Sequence, residues 1–199
     1  MGERMFIGVI KDNKWKVAQY CNFFAKDPFG ECETVYGYAK NNLDKIKNGL
    51  RFCSLISEDE ITQEMKMENP LYQSWTGAKI LNIVMDTEEE IILADGSKIF
   101  TNTFECLFSC IIHLDINKFL FYADGNLNLI GEYDLDNMPS WKGVEKQYKK
   151  FIETDKYIKS YLDYSDPKNI PSIESILNYE KEVEEKAKQL QAERGYPFP

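Results

Sequence analysis

Few residues of this chain have side chains suited to catalysis. There is a single histidine, His113, and there are five cysteines, none of them in a Cys-x-x-Cys pair. One histidine excludes His-rich metal sites and weakens every Ser-His-Asp arrangement. A thiol–imidazole pair would need Cys21 and His113 to lie together, and with Tyr20 these residues define a candidate pocket. The favoured interpretation of His113 is a structural residue of a central strand, so we predict no catalytic residue, metal or cofactor.

Acidic and aromatic segments are the other chemically distinctive features. Carboxylates cluster in two short runs at the edges of predicted elements, where solvated or helix-capping roles are common. An irregular, aromatic-rich loop is predicted over residues 21–33, and its phenylalanines either form a satellite core or contact a partner. The residues predicted to contact a partner are Phe23, Phe24, Phe29, Glu58, Asp59, Glu60, Glu88, Glu89 and Glu90.

Composition narrows the class of protein. The 199 residues carry a net charge of −9, which argues against nucleic-acid binding because phosphate contacts need clustered Lys and Arg. A hydrophobic content of 43 % is ample for a core. No apolar run approaches transmembrane length, and no signal peptide is recognised, so we expect a cytoplasmic protein with reduced thiols and no membrane contact.

The central stretch 103–133 is predicted to form the middle of the sheet, around which the other elements pack. Phe108, Cys110 and Ile112 alternate with Ser109, Ile111 and His113, a pattern typical of a strand with one wholly apolar face. Two further apolar runs, 118–122 and 127–133, follow across polar turns and predict an antiparallel meander. Cys106 and Cys110 would lie about 13 Å apart on such a strand, so no disulfide is expected between them.

The remaining elements predict an α+β fold: an antiparallel sheet covered by helices, with a peripheral C-terminal helix. An N-terminal hairpin (5–10 and 15–20) joins the sheet, and Asp95-Gly96 predicts another hairpin. Helices are predicted near 35–48, 57–69, 75–85 and 140–163, with Trp141 and Phe151 buried against the sheet. Residues 1–165 would form the domain. Residues 166–199 would form a helical arm, which is a candidate for homodimerisation.

The N-terminal two-thirds resembles a largely uncharacterised family found in phages, bacteria and fungi. The matching segments are Met1-Gly2-Glu3-Arg4, Ala18-Gln19-Tyr20, Pro28-x-Gly30, residues 77–81, the strand 104–114 and residues 133–139. Family members start Met-Gly-Thr-Arg and carry a motif Ala-Gln-Tyr-Gly-Gln-Trp-Asp-Gly-Tyr-Pro-x-Gly. This chain departs from the motif at residues 22–27, with one residue inserted. The resemblance implies a fold and a phage-like setting, not a reaction.

A fainter similarity links the strand arrangement to N-terminal-nucleophile hydrolases. Those enzymes expose Cys, Ser or Thr as first residue, whereas this chain would present Gly2 after removal of Met1. The expected function is therefore a non-enzymatic accessory protein of phage or mobile-element type. It would bind a bacterial host protein, of the antiviral defence type, through its acidic surface and aromatic loop. The alternative is a ligand-binding protein or hydrolase with its pocket beside Tyr20, Cys21 and His113.

Overall fold

The computed structural model of the chain describes residues 3–23, 28–74, 76–100, 108–123 and 128–154. Within them, seven strands form one sheet: β1 Glu3–Lys11, β2 Lys14–Phe23, β3 Cys53–Ser57, β4 Ile91–Asp95, β5 Phe108–His113, β6 Lys118–Ala123 and β7 Asn128–Asp134. The helices in the same ranges are α1 Pro28–Gly49, α2 Gln63–Glu68, α3 Lys79–Asp86, α4 Ser97–Phe100 and α5 Trp141–Thr154. Short 3-10 turns at Leu50–Phe52, Glu58–Glu60, Pro70–Tyr72 and Leu135–Asn137 join them.

The sheet is mixed, so the α+β class is confirmed but the prediction of an antiparallel sheet is wrong. Over the described residues the strand order is β3-β4-β2-β1-β5-β6-β7. The β1–β2 hairpin and the β5–β6–β7 meander are antiparallel, as predicted. The pairs β1–β5, β2–β4 and β3–β4 are parallel. Parallel pairs require long crossovers, and α2 and α3 lie in the crossover from β3 to β4.

Each face of the sheet carries a hydrophobic cluster. The helix-covered face carries Met5, Ile7 and Val9 of β1 and packs against buried residues of α1, α3 and α5. The second face carries Phe6 and Ile10 and packs against Phe100 of α4. In β5 the apolar set Phe108, Cys110 and Ile112 lies on the helix-covered face, as the alternation predicts, and Ile111 lies on the second face.

The segment predicted as an irregular loop over 21–33 is largely regular. Strand β2 continues to Phe23, and α1 begins at Pro28. Proline favours the first helical turn because its φ is already helical and its missing N–H would have no intrahelical partner there. Thr34, the predicted N-cap, lies inside the helix and its hydroxyl donates to the Gly30 carbonyl at 3.1 Å.

The predicted hairpin at Asp95-Gly96 is wrong. Asp95 ends β4, and the chain then enters α4 instead of a returning strand. The Asp95 carboxylate accepts the Ser97 N–H at 3.0 Å, a contact that favours helix initiation. The Gly96 N–H donates to the Ala18 carbonyl at 2.8 Å, so this turn is hydrogen-bonded to the parallel neighbour β2.

Helix α5 packs beside α1 on the same face of the sheet. Val144 is buried, and the Trp141 ring lies 5.3 Å from Tyr36 and 6.1 Å from Phe121. Trp141 packs against the core but is half-buried, and Phe151 is half-buried as well, so the prediction that both are buried is wrong. The predicted continuation of α5 to residue 163 and the C-terminal arm lie outside the described residues, so the division at 165 stays a prediction.

Candidate functional site

The residues of the predicted pocket are not brought together. Cys21 pairs with Met5 on the helix-covered face, whereas Tyr20 and His113 belong to the second face. Met5 in turn pairs with Phe108, and Phe108 and His113 are at opposite ends of β5. Five residues of strand separate them by about 17 Å. Cys21 and His113 are therefore too far apart to form a thiol–imidazole pair, and the predicted convergence of the three residues is not observed.

His113 is a buried residue of the sheet, with 5 % of its surface exposed. It pairs with Ile10 of β1 and Lys118 of β6. Burial lowers the pKa of the His113 imidazole, and the nearby Asp115 carboxylate partly opposes that shift. The neutral imidazole is thus favoured in the folded state, which agrees with a structural role.

Asp115 fixes the hairpin next to His113. Its two carboxylate oxygens accept the N–H groups of Asp12 and Asn13, both at 2.8 Å. Those two residues have φ values of 56° and 53°, as a tight hairpin turn requires. Burial raises the pKa of Asp115, but the bonds from Asn13 and Asp12 together with the nearby His113 and Lys11 hold that pKa below its usual value. This carboxylate ties the β1–β2 turn to the β5–β6 turn.

Cysteine thiols in the described residues are buried. Cys21, Cys32, Cys53 and Cys110 all have 8 % or less of their surface exposed. Burial raises the pKa of Cys53 to about 11, against a smaller opposing effect of Lys16. A thiol with so high a pKa is protonated at neutral pH and is a poor nucleophile. Cys106 lies outside the described residues, so the absence of a Cys106–Cys110 disulfide stays a prediction.

The β3–β4 pair, which we call the edge pair, is where exposed charge and exposed apolar surface meet. Among the described strands β3 ends the sheet, and its five residues pair in parallel with β4 from Cys53↔Ile91 to Ser57↔Asp95. Ser54 is exposed, and Leu55 and Ile56 are half-buried. Ile92, the β4 residue opposite Ser54, has 47 % of its surface exposed. This strand was missed in the sequence because residues 53–57 form a short apolar run without clear alternation.

The two acidic segments predicted to contact a partner lie at opposite ends of the edge pair. The Glu58–Glu60 turn follows the last residue of β3, and residues 88–90 precede the first residue of β4. The strands separate them by about 13 Å. Asp59, Glu60, Glu88, Glu89 and Glu90 are exposed, and Glu58 is half-buried. We call these segments the acidic flanks.

Local contacts hold the flank at the end of β3. The Ser57 N–H donates to the Glu60 carboxylate at 3.3 Å, in agreement with the predicted capping box. Asp59 forms an ion pair with Lys98 at 2.9 Å, and hydrogen bonding to Lys98 lowers the pKa of Asp59. Burial raises the pKa of Glu58, the neighbouring Lys66 opposing it. Lys98 was not recognised in the sequence, because its partner is distant along the chain.

The predicted aromatic contacts cannot be placed in the same detail. Phe23 is the last residue of β2 and Phe29 is in the first turn of α1. Phe24 and the side chains of Phe23 and Phe29 lie outside what the structure describes. Their role as partner contacts stays a prediction.

Metal-binding clusters and membrane-spanning helices are both absent from the part of the chain that the structure describes. In these ranges no group of three His, Cys, Asp or Glu residues is arranged to hold a metal ion. None of the helices described is both long and apolar enough to cross a membrane.

Comparison with known proteins identifies no relative. No protein-family model matches the chain, and neither a curated protein nor a solved structure matches it. The sequence resemblance to the phage, bacterial and fungal family stays a prediction.

Proposed function

We propose that the chain is a non-enzymatic accessory protein of phage or mobile-element type. It acts in the cytoplasm of a bacterial host by binding, and thereby inhibiting, a basic host protein of antiviral defence. The phage setting comes from the sequence resemblance, and the mode of action comes from the acidic flanks. The supporting observation is that exposed carboxylates lie at both ends of the edge pair, beside exposed Ser54 and Ile92.

The distribution of these charges favours a protein partner. Exposed carboxylates about 13 Å apart attract a basic surface over distances comparable to the screening length of about 8 Å at physiological ionic strength. Between them lie apolar atoms of Ile92 and half-buried Ile56, which a partner can cover. A polar rim around an apolar centre is common in protein–protein interfaces, and here the polar groups at the two ends are carboxylates.

The alternative function, a ligand pocket or hydrolase site, depends on Tyr20, Cys21 and His113 forming one concavity. Cys21 lies on the opposite face of the sheet from the other two. No observation on the described residues favours this alternative, and we do not propose it.

The test is affinity capture from the bacterial host, followed by kinetics on the captured complex. Association should slow steeply as salt is raised, because charge complementarity acts mainly on the association rate. Glu88→Lys with Glu90→Lys should slow association by roughly tenfold or more at low salt. This pair is a cleaner test than Glu58→Lys with Glu60→Lys, because the Glu60 carboxylate accepts the Ser57 N–H.

A matched control makes the same change of charge elsewhere. Asp44→Lys with Asp136→Lys alters two exposed carboxylates, one on α1 and one after β7, away from both the edge pair and the aromatic loop, and should change association by less than about twofold. Circular dichroism and thermal melting establish that each variant is folded. A captured complex indifferent to salt and to both flank pairs would refute the proposal. A second double variant, Phe23→Ala with Phe29→Ala, tests the aromatic contacts: if they contribute to binding, the complex should dissociate faster.

A further inference from the structure

Strand β3 has one side without a strand neighbour among the described residues. Its ladder to β4 runs over all five residues, and the strand order ends there. A strand directs alternate N–H and C=O groups to each side, so pairing with β4 uses one side and leaves a row of donors and acceptors on the other. An extended segment could form hydrogen bonds with that row.

Side chains beside this row leave room for such a segment. Ser54 and Ile92 are paired across the ladder and therefore share a face of the sheet. Ser54 is small and exposed, and Ile92 beyond it has 47 % of its surface exposed. A large apolar side chain on an added strand, about 5 Å outward from β3, would cover Ser54 and reach toward Ile92.

The charges at both ends of the edge pair favour one kind of segment on the free side of β3. Each copy of the chain carries carboxylates at both ends of the edge pair, so pairing of β3 with β3 of a second copy would bring acidic flanks together. Exposed Arg51 near one flank and Lys98, paired with Asp59, at the other each offset only one of these charges. A segment with Lys or Arg at each end would instead place opposite charges beside both flanks.

We propose that β3 accepts an extended segment of the partner protein as an additional edge strand. The segment has basic residues at both ends and a large apolar residue facing Ser54 and Ile92. This inference rests on the proposed function for the charge of the partner, and it adds the form in which that partner binds.

The probe is a display library of random peptides of about nine residues, enough to span β3 and both flanks. Selection on the full-length protein should enrich peptides with Lys or Arg at both ends and β-branched or aromatic residues between them. The best peptide is then made in two N-methylated forms, one blocked at its odd central amides and one at its even central amides. Both forms keep the charge and side chains of the parent.

Strand addition predicts opposite results for the two forms. An added strand directs only alternate N–H groups toward β3, so one form should bind like the parent and the other should lose roughly tenfold or more in affinity. Ser54→Lys should also weaken binding at least tenfold, by covering Ile92 and repelling the basic ends. Ile116→Lys, at an exposed residue of the β5–β6 turn, should not change the affinity.

Several outcomes would overturn the inference. These are failure to enrich any peptide, enrichment without basic ends, and equal affinity of the two N-methylated forms. Self-association that Ser54→Lys abolishes would assign the edge to a second copy and overturn it as well. The proposed function fails separately, when the captured host complex is indifferent to salt and to the flank variants. If capture is sensitive to salt but the two N-methylated peptides bind with equal affinity, strand addition is refuted and the proposed function is not.

Discussion

Replacing Gly49 with alanine tests the packing that places the edge strand. Gly49 is the last residue of α1, and the 3-10 turn Leu50–Phe52 leads from it directly into β3. Its backbone is right-handed helical, with φ −64° and ψ −34°, so alanine would meet no backbone strain. An added Cβ would, however, overlap the Val84 carbonyl oxygen of α3 and lie 2.6 Å from the carbonyl carbon.

The expected cost follows from that overlap. Nonbonded carbon atoms prefer separations of about 3.5 Å, so the contact with the carbonyl carbon alone would require α1 and α3 to move apart by about 1 Å, and the overlap with the oxygen requires more. Overpacking costs about 1–3 kcal/mol, and the upper end applies because the obstructing atoms belong to backbone. Alanine regains up to about 1 kcal/mol of helix preference. The free energy of unfolding should therefore fall by about 2 kcal/mol.

Gly37 in the same helix is the matched control. A Cβ built there meets no atom within 4 Å, so Gly37→Ala should raise the free energy of unfolding by about 0.5–1 kcal/mol. Urea denaturation at neutral pH measures both variants, and thermal melting should separate them by several degrees, at about 2–4 °C per kcal/mol. If Gly49→Ala is as stable as Gly37→Ala, the close approach of α1 to α3 is wrong.

Three further variants or titrations test other contacts. Asp115→Ala should cost about 1 kcal/mol, because the Asp12 and Asn13 N–H groups lose their acceptor but are exposed enough for water to replace it. Because the pKa of Asp115 is lowered in the folded state, its contribution to the free energy of unfolding is present above the unfolded-state pKa of about 3.8 and is lost as the pH falls through the folded-state pKa. Urea denaturation measures this contribution as the difference in stability between wild type and variant, and an equal difference at pH 7 and at pH 2 would contradict the prediction. His113 should titrate below its usual pKa of about 6.5 in NMR spectra, where its imidazole signal is unambiguous because the chain has 1 histidine. Because the pKa of His113 is lowered in the folded state, the free energy of unfolding should decrease as the pH falls below about 6.5, and His113→Gln should remove that decrease. A normal or raised pKa of His113 would contradict its burial. Phe121→Ala should cost about 3–5 kcal/mol, since the ring is fully buried between Phe108 and α5, and a loss below about 1 kcal/mol in denaturation would contradict the packing of α5.

Elements with strong local patterns could be predicted from the sequence. The β1–β2 hairpin and the β5–β6–β7 meander follow from period-two alternation between polar turns, and the start of α5 follows from Pro139-Ser140 and a helical apolar stripe. These signals are local, because an alternating segment buries one face whatever lies beside it. The parity of residues along β5 likewise suffices to place Phe108 and His113 on opposite faces of the sheet.

Elements that depend on distant partners could not be predicted. Asp95-Gly96 has the composition of a hairpin, yet the Gly96 N–H bonds to Ala18 and the chain turns into α4. Strand β3 is too short for its pattern to be recognised, and pairing with β4 across α2 and α3 makes it a strand. The parallel β1–β5 pair joins Met5 to Phe108 across a long stretch of chain, and that contact makes the sheet mixed.

The same distinction holds for the candidate site. The sequence by itself determined that the chain is acidic, that its carboxylates cluster in the segments 58–60 and 88–90, and that it has a single imidazole. Only the tertiary structure decided that those segments lie at opposite ends of the edge pair, and that Cys21 and His113 lie on opposite faces of the sheet. Alternation fixes which side chains share a face within a strand, but the register and order of strands depend on contacts between residues far apart in the chain.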